Sequence, residues 1–195
     1  DRLAELREAA GSVSRETLDE LSVFESEFRR WSASINLVAP STLDSLWQRH
    51  ILDSAQIAAL KPNALKWLDL GSGGGFPGVV VAVLLKQRRH ASIDLVESNN
   101  KKAAFLRSVL ASLDAPARVH VCRIENAANR VAIPEIVTAR ALAPLPLLLR
   151  LASPWLEAGA TALFHKGRDY ATEIAESRDG WQFDLIEHPS KIDPA

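Results

Sequence analysis

The sequence predicts an α/β protein with a doubly wound, mostly parallel sheet and an N-terminal helical extension. Three observations predict it. From Lys66 onward, short apolar runs of strand length alternate with amphipathic stretches, which implies repeated βαβ units with helices on both faces of a sheet. The first of these runs ends in a glycine-rich loop that leads straight into another apolar segment. Residues 1–64 show only helical periodicity, so they form a helical segment expected to pack on the core of a 65–195 domain.

In the leading segment, Leu18, Leu21, Phe24, Phe28 and Trp31 recur at three- and four-residue steps, the mark of an amphipathic helix. Ser41 and Asp44 stand three apart at the start of a second stripe, Leu43, Leu46, Trp47 and Ile51. That spacing predicts a capping box with Asp in place of Glu. Trp67-Leu68-Asp69-Leu70 reads as a buried strand, followed by a helix over 77–86 with Pro77 suited to its first turn. A second strand covers 93–97. Ser98 is expected to cap the next helix, whose inner face is Ala103, Leu106, Val109, Leu110 and Leu113. Strands over 118–121 and 135–139, a helix over 144–156, a strand over 161–164, a helix over 169–177 and a last strand around 183–186 complete the alternation.

The 195 residues are 47 % hydrophobic and 24 % charged, the balance of a globular chain that buries a core without disulfides or metals. The single cysteine, Cys122, excludes an intrachain disulfide and fits a reducing cytosol. No apolar run reaches bilayer length and the N-terminus has no signal-peptide core, so a cytoplasmic protein without a membrane partner is expected. The formal net charge of −1 gives no overall attraction for nucleic acid. Basic groups at Arg29-Arg30, Lys86-Gln87-Arg88-Arg89-His90 and Lys101-Lys102 read individually as solvated helix ends or loops. The five histidines show no ligand spacing with cysteine or carboxylates, so no metal is expected.

The strongest local signal is Asp69-Leu70-Gly71-Ser72-Gly73-Gly74-Gly75-Phe76-Pro77-Gly78. Glycines let the main chain take positive φ and let a ligand approach it closely. In open α/β sheets, ligands lie outside the carboxyl ends of the strands, where this loop falls. Gly73, Gly75 and Gly78 formally satisfy G-x-G-x-x-G, the dinucleotide fingerprint, which keeps a nicotinamide-dependent oxidoreductase as an alternative. The register Asp69, Gly71, Gly73, Gly75 instead resembles the first motif of the Rossmann-like methyltransferases. No Gly-Lys-Ser/Thr follows, which excludes a Walker phosphate loop. Glu97, ending the second strand, is placed to accept both ribose hydroxyls of a nucleoside, or else is an exposed strand-end carboxylate.

Methyl transfer from a sulfonium needs proximity, alignment and a dry site. Cys122 is the one candidate nucleophile for a pyrimidine carbon, and it reads rather as a small buried hydrophobe. The stretch Thr138-Ala139-Arg140-Ala141-Leu142-Ala143-Pro144 departs from the Asn/Asp-Pro-Pro-aromatic motif of exocyclic-amine methyltransferases. A ring nitrogen such as guanine N7 has a free lone pair and requires no general base, which this site is compatible with. Arg140 is placed to bond guanine O6 or a phosphate, to close over a cofactor, or to form a strand-end ion pair.

Several segments together resemble the glucose-inhibited division protein B family, the bacterial 16S (small-subunit) rRNA guanine-N7 methyltransferases. They are Ile35-Asn36-Leu37, Arg49-His50-Ile51-Leu52-Asp53-Ser54, the glycine loop, Val96-Glu97-Ser98-Asn99-Asn100-Lys101-Lys102, Arg123-Ile124-Glu125, Arg140-Ala141 and Lys166-Gly167, in that order over most of the chain. The resemblance implies a class I methyltransferase fold and S-adenosylmethionine as cofactor. By position it implies that Gly71, Ser72, Gly73, Gly75 and Phe76 line the methionine and ribose part of that cofactor. Glu97 would hold the ribose, Ile124 and Glu125 would flank the adenine, and Arg140 would sit beside cofactor and incoming base in a positioning role. Lys166, Arg49 and His50 are the implied RNA contacts, with Asp53 near the cofactor mouth. His50 reads equally as a half-buried structural histidine, and Asp53 as a cap of the next helix with Gln56 three residues on. The implied partner is 16S rRNA or the small ribosomal subunit, met by a monomer. The near-neutral charge fits poorly with a stand-alone RNA binder, and recognition of a folded ribonucleoprotein is one way to reconcile the two. A methyltransferase with another acceptor and a non-catalytic nucleotide-binding module are the remaining alternatives.

Overall fold

The structure, a computed structural model, describes residues 1–192. Five parallel strands form one sheet: β1 (Lys66–Leu70), β2 (Ser92–Val96), β3 (Ala117–His120), β4 (Ile136–Arg140) and β5 (Thr161–His165), in the order β3-β2-β1-β4-β5. The chain runs outward from β1 through β2 to β3, then crosses back to β4 and β5. The strand order therefore reverses beside β1, and the loops after β1 and β4 border that crevice.

Strand side chains alternate between two packed faces. Trp67, Ile93, Leu95 and Ile136 join one apolar cluster. Leu68, Leu70, Val96, Val137 and Ala139 join the other. Helices α4 (Gly78–Leu85) and α5 (Asn100–Ser112) cover the first face. Residues Val79 to Val83 of α4 are buried all round, because a second layer of helix lies outside them. Helix α6 (Leu145–Leu156) covers the second face with Leu148, Ala152 and Trp155, and α7 (Tyr170–Arg178) packs beside it.

The outer layer is α1 (Arg2–Ala10), α2 (Arg15–Ser32) and α3 (Asp53–Leu60). Ser14 caps α2 by accepting from the Thr17 N–H at 3.1 Å. The apolar stripe of α2 buries Leu21, Phe24 and Phe28, as its spacing predicts. Phe24, Phe28, Phe76 and Phe105 form one aromatic group with centroids 5.2–6.5 Å apart. Residues 1–64 thus share a continuous core with one face of the sheet. No helix among the described residues is long and apolar enough to cross a membrane.

Four local expectations need correction. Residues 183–186 form no strand. β5 pairs only with β4, so this segment has no strand partner among the described residues, and Ile186 stays exposed. The cap of α5 is Asn99, not Ser98: its Oδ1 accepts from the N–H groups of Lys101 (3.0 Å) and Lys102 (3.1 Å). The Ser41/Asp44 capping box is not made. Thr42 donates through both N–H and Oγ1 to the Ala39 carbonyl, drawing Pro40–Ser45 into a 3₁₀ turn. Leu46, Trp47 and Ile51 of that stripe are nevertheless buried. A π-helical turn, Trp47–Leu52, then runs directly into α3. Asp53 therefore has no helix start to cap, and its carboxylate is available for other partners.

Candidate functional site: the carboxyl edge at the β1–β4 crevice

The glycine loop leaves β1 with three residues at positive φ: Gly71 (65°), Gly73 (52°) and Gly75 (92°). Two glycines differ in a way that matters. A Cβ on Gly74 would sit 2.8 Å from Phe28 Cε2, so the aromatic group of the outer layer presses on the loop from behind. A Cβ on Gly73 would meet nothing nearer than the Gly71 carbonyl at 3.7 Å, so that side of the loop is open main chain. Ser72 tightens the turn by donating to the Asp69 carbonyl at 3.1 Å.

Glu97, at the end of β2, reaches this loop. Its Oε2 accepts from the Gly73 N–H at 2.8 Å and its Oε1 from the Asn99 N–H at 2.7 Å. Each oxygen keeps acceptor capacity for a further donor. Asp69 lies underneath, fully buried. Its Oδ1 accepts from Thr138 Oγ1 at 2.9 Å, and its Oδ2 has no hydrogen bond of full geometry among the described residues. Burial pushes its carboxyl from the ordinary 3.8 up to about 7, against the pull of polar contacts to Ser72, Thr138 and the Gly78 backbone.

Phe76 ends the loop and carries the His50 ring on its outer side, centroids 5.0 Å apart at 34°. Burial and the nearby Arg140 lower His50 to about 4, so the imidazole is neutral at physiological pH. Arg140, the last residue of β4, donates from Nη2 to the Arg49 carbonyl at 2.6 Å and lies 3.5 Å from Asp53 Oδ2. His165, the last residue of β5, places Nε2 3.2 Å from the Asp53 carbonyl and 3.4 Å from Asp53 Oδ2. A carbonyl only accepts, so Nε2 carries the proton there.

The structure gathers Gly71, Ser72, Gly73, Gly75, Phe76 and Glu97 into one cradle, with His50 and Arg140 beside it. Ile124 and Glu125 lie in a 3₁₀ turn at the same edge, after β3, the first half-buried and the second exposed. Arg49 is exposed on the π-helical turn, its carbonyl held by Arg140. Lys166 follows β5 and is held inward: Nζ donates to the Ala143 carbonyl at 3.1 Å and pairs with Glu173. Cys122 is half-buried against the second apolar cluster, as a small hydrophobe. Sequence reasoning missed His165, Thr138 and Ser190 as neighbours of the site, while Gln56, paired with Asp53 by its spacing, does donate to Asp53 Oδ1 at 2.6 Å. For His165 and Thr138 a signal existed, since polar residues near the carboxyl ends of parallel strands face a ligand crevice.

The strand order, the glycine loop after β1 and the acid after β2 define a Rossmann-like methyltransferase. The O-methyltransferase TomG from Streptomyces achromogenes, solved in complex with SAM, has this fold. It superposes with a TM-score of 0.54 at 16 % identity, over 82 % of this chain and 76 % of that one. The model of the family rRNA small subunit methyltransferase G matches residues 17–191, and the chain belongs to that family. It is 60 % identical over 192 residues to "Ribosomal RNA small subunit methyltransferase G" of Chelativorans sp., covering 98 % of this chain and 91 % of the relative. The protein of the same name in Brucella canis is 58 % identical over 194 residues, covering 100 % and 91 %.

Proposed function

We propose that this chain transfers the methyl group of S-adenosylmethionine to N7 of a guanine in 16S ribosomal RNA, in the cytoplasm and as a monomer. The observation that carries the reading is an open main-chain cradle at Gly73, tied to Glu97, in a chain that matches the family over nearly its whole length. The cradle fits the cofactor: the open side of Gly73 admits a ligand to van der Waals contact, and Glu97 retains lone pairs for two ribose hydroxyls.

Gly71, Ser72, Gly73, Gly75 and Phe76 would line the methionine and ribose part, and Ile124 and Glu125 the adenine. Bound there, S-adenosylmethionine supplies a methyl on a sulfonium, open to in-line displacement. Guanine N7 would displace S-adenosylhomocysteine with its own lone pair, the methyl–sulfur bond breaking as the N7–methyl bond forms, so the chain is not asked for a base. Arg140 positions the base from the end of β4. Arg49, His50 and Lys166 are the RNA-side contacts, the last after release from Glu173. Residues 1–64 serve as a buttress for the cradle and 65–195 as the cofactor-binding domain, since Phe28 of α2 backs Gly74.

Calorimetric titration with S-adenosylhomocysteine and, separately, with NAD tests the cofactor. Micromolar binding of the former alone supports the reading. Binding of NAD instead would overturn it and restore the oxidoreductase alternative.

A further inference from the structure

We propose that Asp53 is a positioning residue that sets Arg140 at the cofactor mouth and ties the C-terminal segment to the same point. The inference rests on the methyltransferase reading above.

Arg140 comes from the last position of β4, yet its side chain is only 18 % exposed. A guanidinium so placed needs its charge answered. Its fixed partners are the Arg49 carbonyl at 2.6 Å and Asp53 Oδ2 at 3.5 Å, while Nη1 is buried without a partner among the described residues. Among the described residues, Asp53 is the carboxylate that pairs with Arg140.

The other Asp53 oxygen is occupied in a way that fixes its direction. Oδ1 accepts from Gln56 Nε2 at 2.6 Å and from Ser190 Oγ at 3.0 Å. Gln56 Nε2 also reaches Ser190 Oγ at 3.1 Å, and Gln56 Oε1 accepts from the Lys191 N–H at 3.1 Å. With Oδ1 held from one side, Oδ2 is aimed at Arg140 and His165. His165 completes the seat from β5, and burial lowers its pKa, which keeps it from competing with Arg140 as a second cation. One carboxylate thus joins α3, the ends of β4 and β5 and a segment 137 residues away.

The test is a double-mutant cycle on methyl transfer to small ribosomal subunits, with S-adenosylhomocysteine affinity measured alongside. Asp53→Asn keeps size and polarity and removes the charge, and its kcat should fall about tenfold with the affinity little changed. Arg140→Ala should lower kcat about a hundredfold, and the double variant should be no worse than Arg140→Ala, because both changes remove one arrangement. Asp53→Glu should recover part of the loss. If the two losses multiply to about a thousandfold, or if folded Asp53→Asn turns over like wild type, the proposal is overturned. Should Asp53→Asn not fold, Ser190→Ala removes one of the two bonds to Oδ1, together with the Oγ contacts to Gln56 Nε2 and the Ile192 N–H. It should lower kcat about threefold in the wild-type background and leave the Arg140→Ala variant unaffected, and equal losses in both backgrounds would overturn the proposal. Methyl transfer to a different acceptor with the same pattern of losses would instead strike at the acceptor reading and not at this one.

Discussion

Glu97 Oε2 accepts a hydrogen bond from the Gly73 N–H at 2.8 Å, joining the end of β2 to the loop after β1. The bond fixes the orientation of the one glycine in the loop whose side is open. A carboxylate bonded to two main-chain N–H groups is both a strap and a preset acceptor.

Glu97→Gln places an NH₂ against one of those two N–H donors. Repulsion between donors loosens the strap, and affinity for S-adenosylhomocysteine should fall by about tenfold or more, since bonds to charged groups are worth ~1.5–3 kcal/mol. Calorimetry checks this, and undiminished affinity in a folded variant would remove Glu97 from the binding site.

Gly73→Val and Gly74→Ala should fail differently. Gly73 has φ of 52° and open space, so valine there blocks the approach of a ligand and should abolish cofactor binding while adding only ~1–3 kcal/mol of backbone strain. Alanine at 74 collides with Phe28 at 2.8 Å and should show first as a lower Tm, with binding reduced only as the loop shifts. Thermal melts with and without S-adenosylhomocysteine separate the two.

Two buried groups set opposing pH slopes. The Asp69 carboxyl is held near 7 in the fold against 3.8 ordinarily, so between those values the folded state holds the extra proton. Its contribution to stability is greatest below about pH 4, declines as pH rises to about 7 and is flat above. His50 is lowered from 6.5 to about 4, so in that interval the unfolded state holds the extra proton, and its contribution rises with pH. Asp69→Asn stays neutral throughout. Its Tm relative to wild type should therefore be higher at pH 8 than at pH 5, and a difference independent of pH would refute the raised pKa.

Phe28→Ala should cost about 3–5 kcal/mol, the range for emptying a core aromatic site. Because Phe28 backs Gly74, cofactor affinity should weaken as well, even though Phe28 lies outside the crevice. A stability loss with unchanged affinity would show that the outer helices do not support the loop.

The sheet and its helices were legible because short apolar runs and period-3.6 apolar patterns are local properties of 67–70, 93–97 or 18–31, and the glycine loop announces its own geometry. What escaped was decided by partners. Residues 183–186 have the composition of a strand but, among the described residues, no neighbouring strand to bond. Ser98 and Asn99 are both competent caps, and it is Asn99 whose side chain meets the Lys101 and Lys102 N–H groups. The seat of Arg140 joins Asp53, His165 and Ser190 across 87 or more positions, and no local spacing encodes it.

The central claim is most directly tested by incubating the protein with S-adenosylmethionine labelled in the methyl group and isolated small ribosomal subunits lacking the modification. Digestion of the 16S rRNA to nucleosides then shows where the label went. Label is expected in 7-methylguanosine and nowhere else, lost in the Gly73→Val variant. Label in another nucleoside, or in a ribosomal protein, would contradict the assigned acceptor while leaving the cofactor site standing.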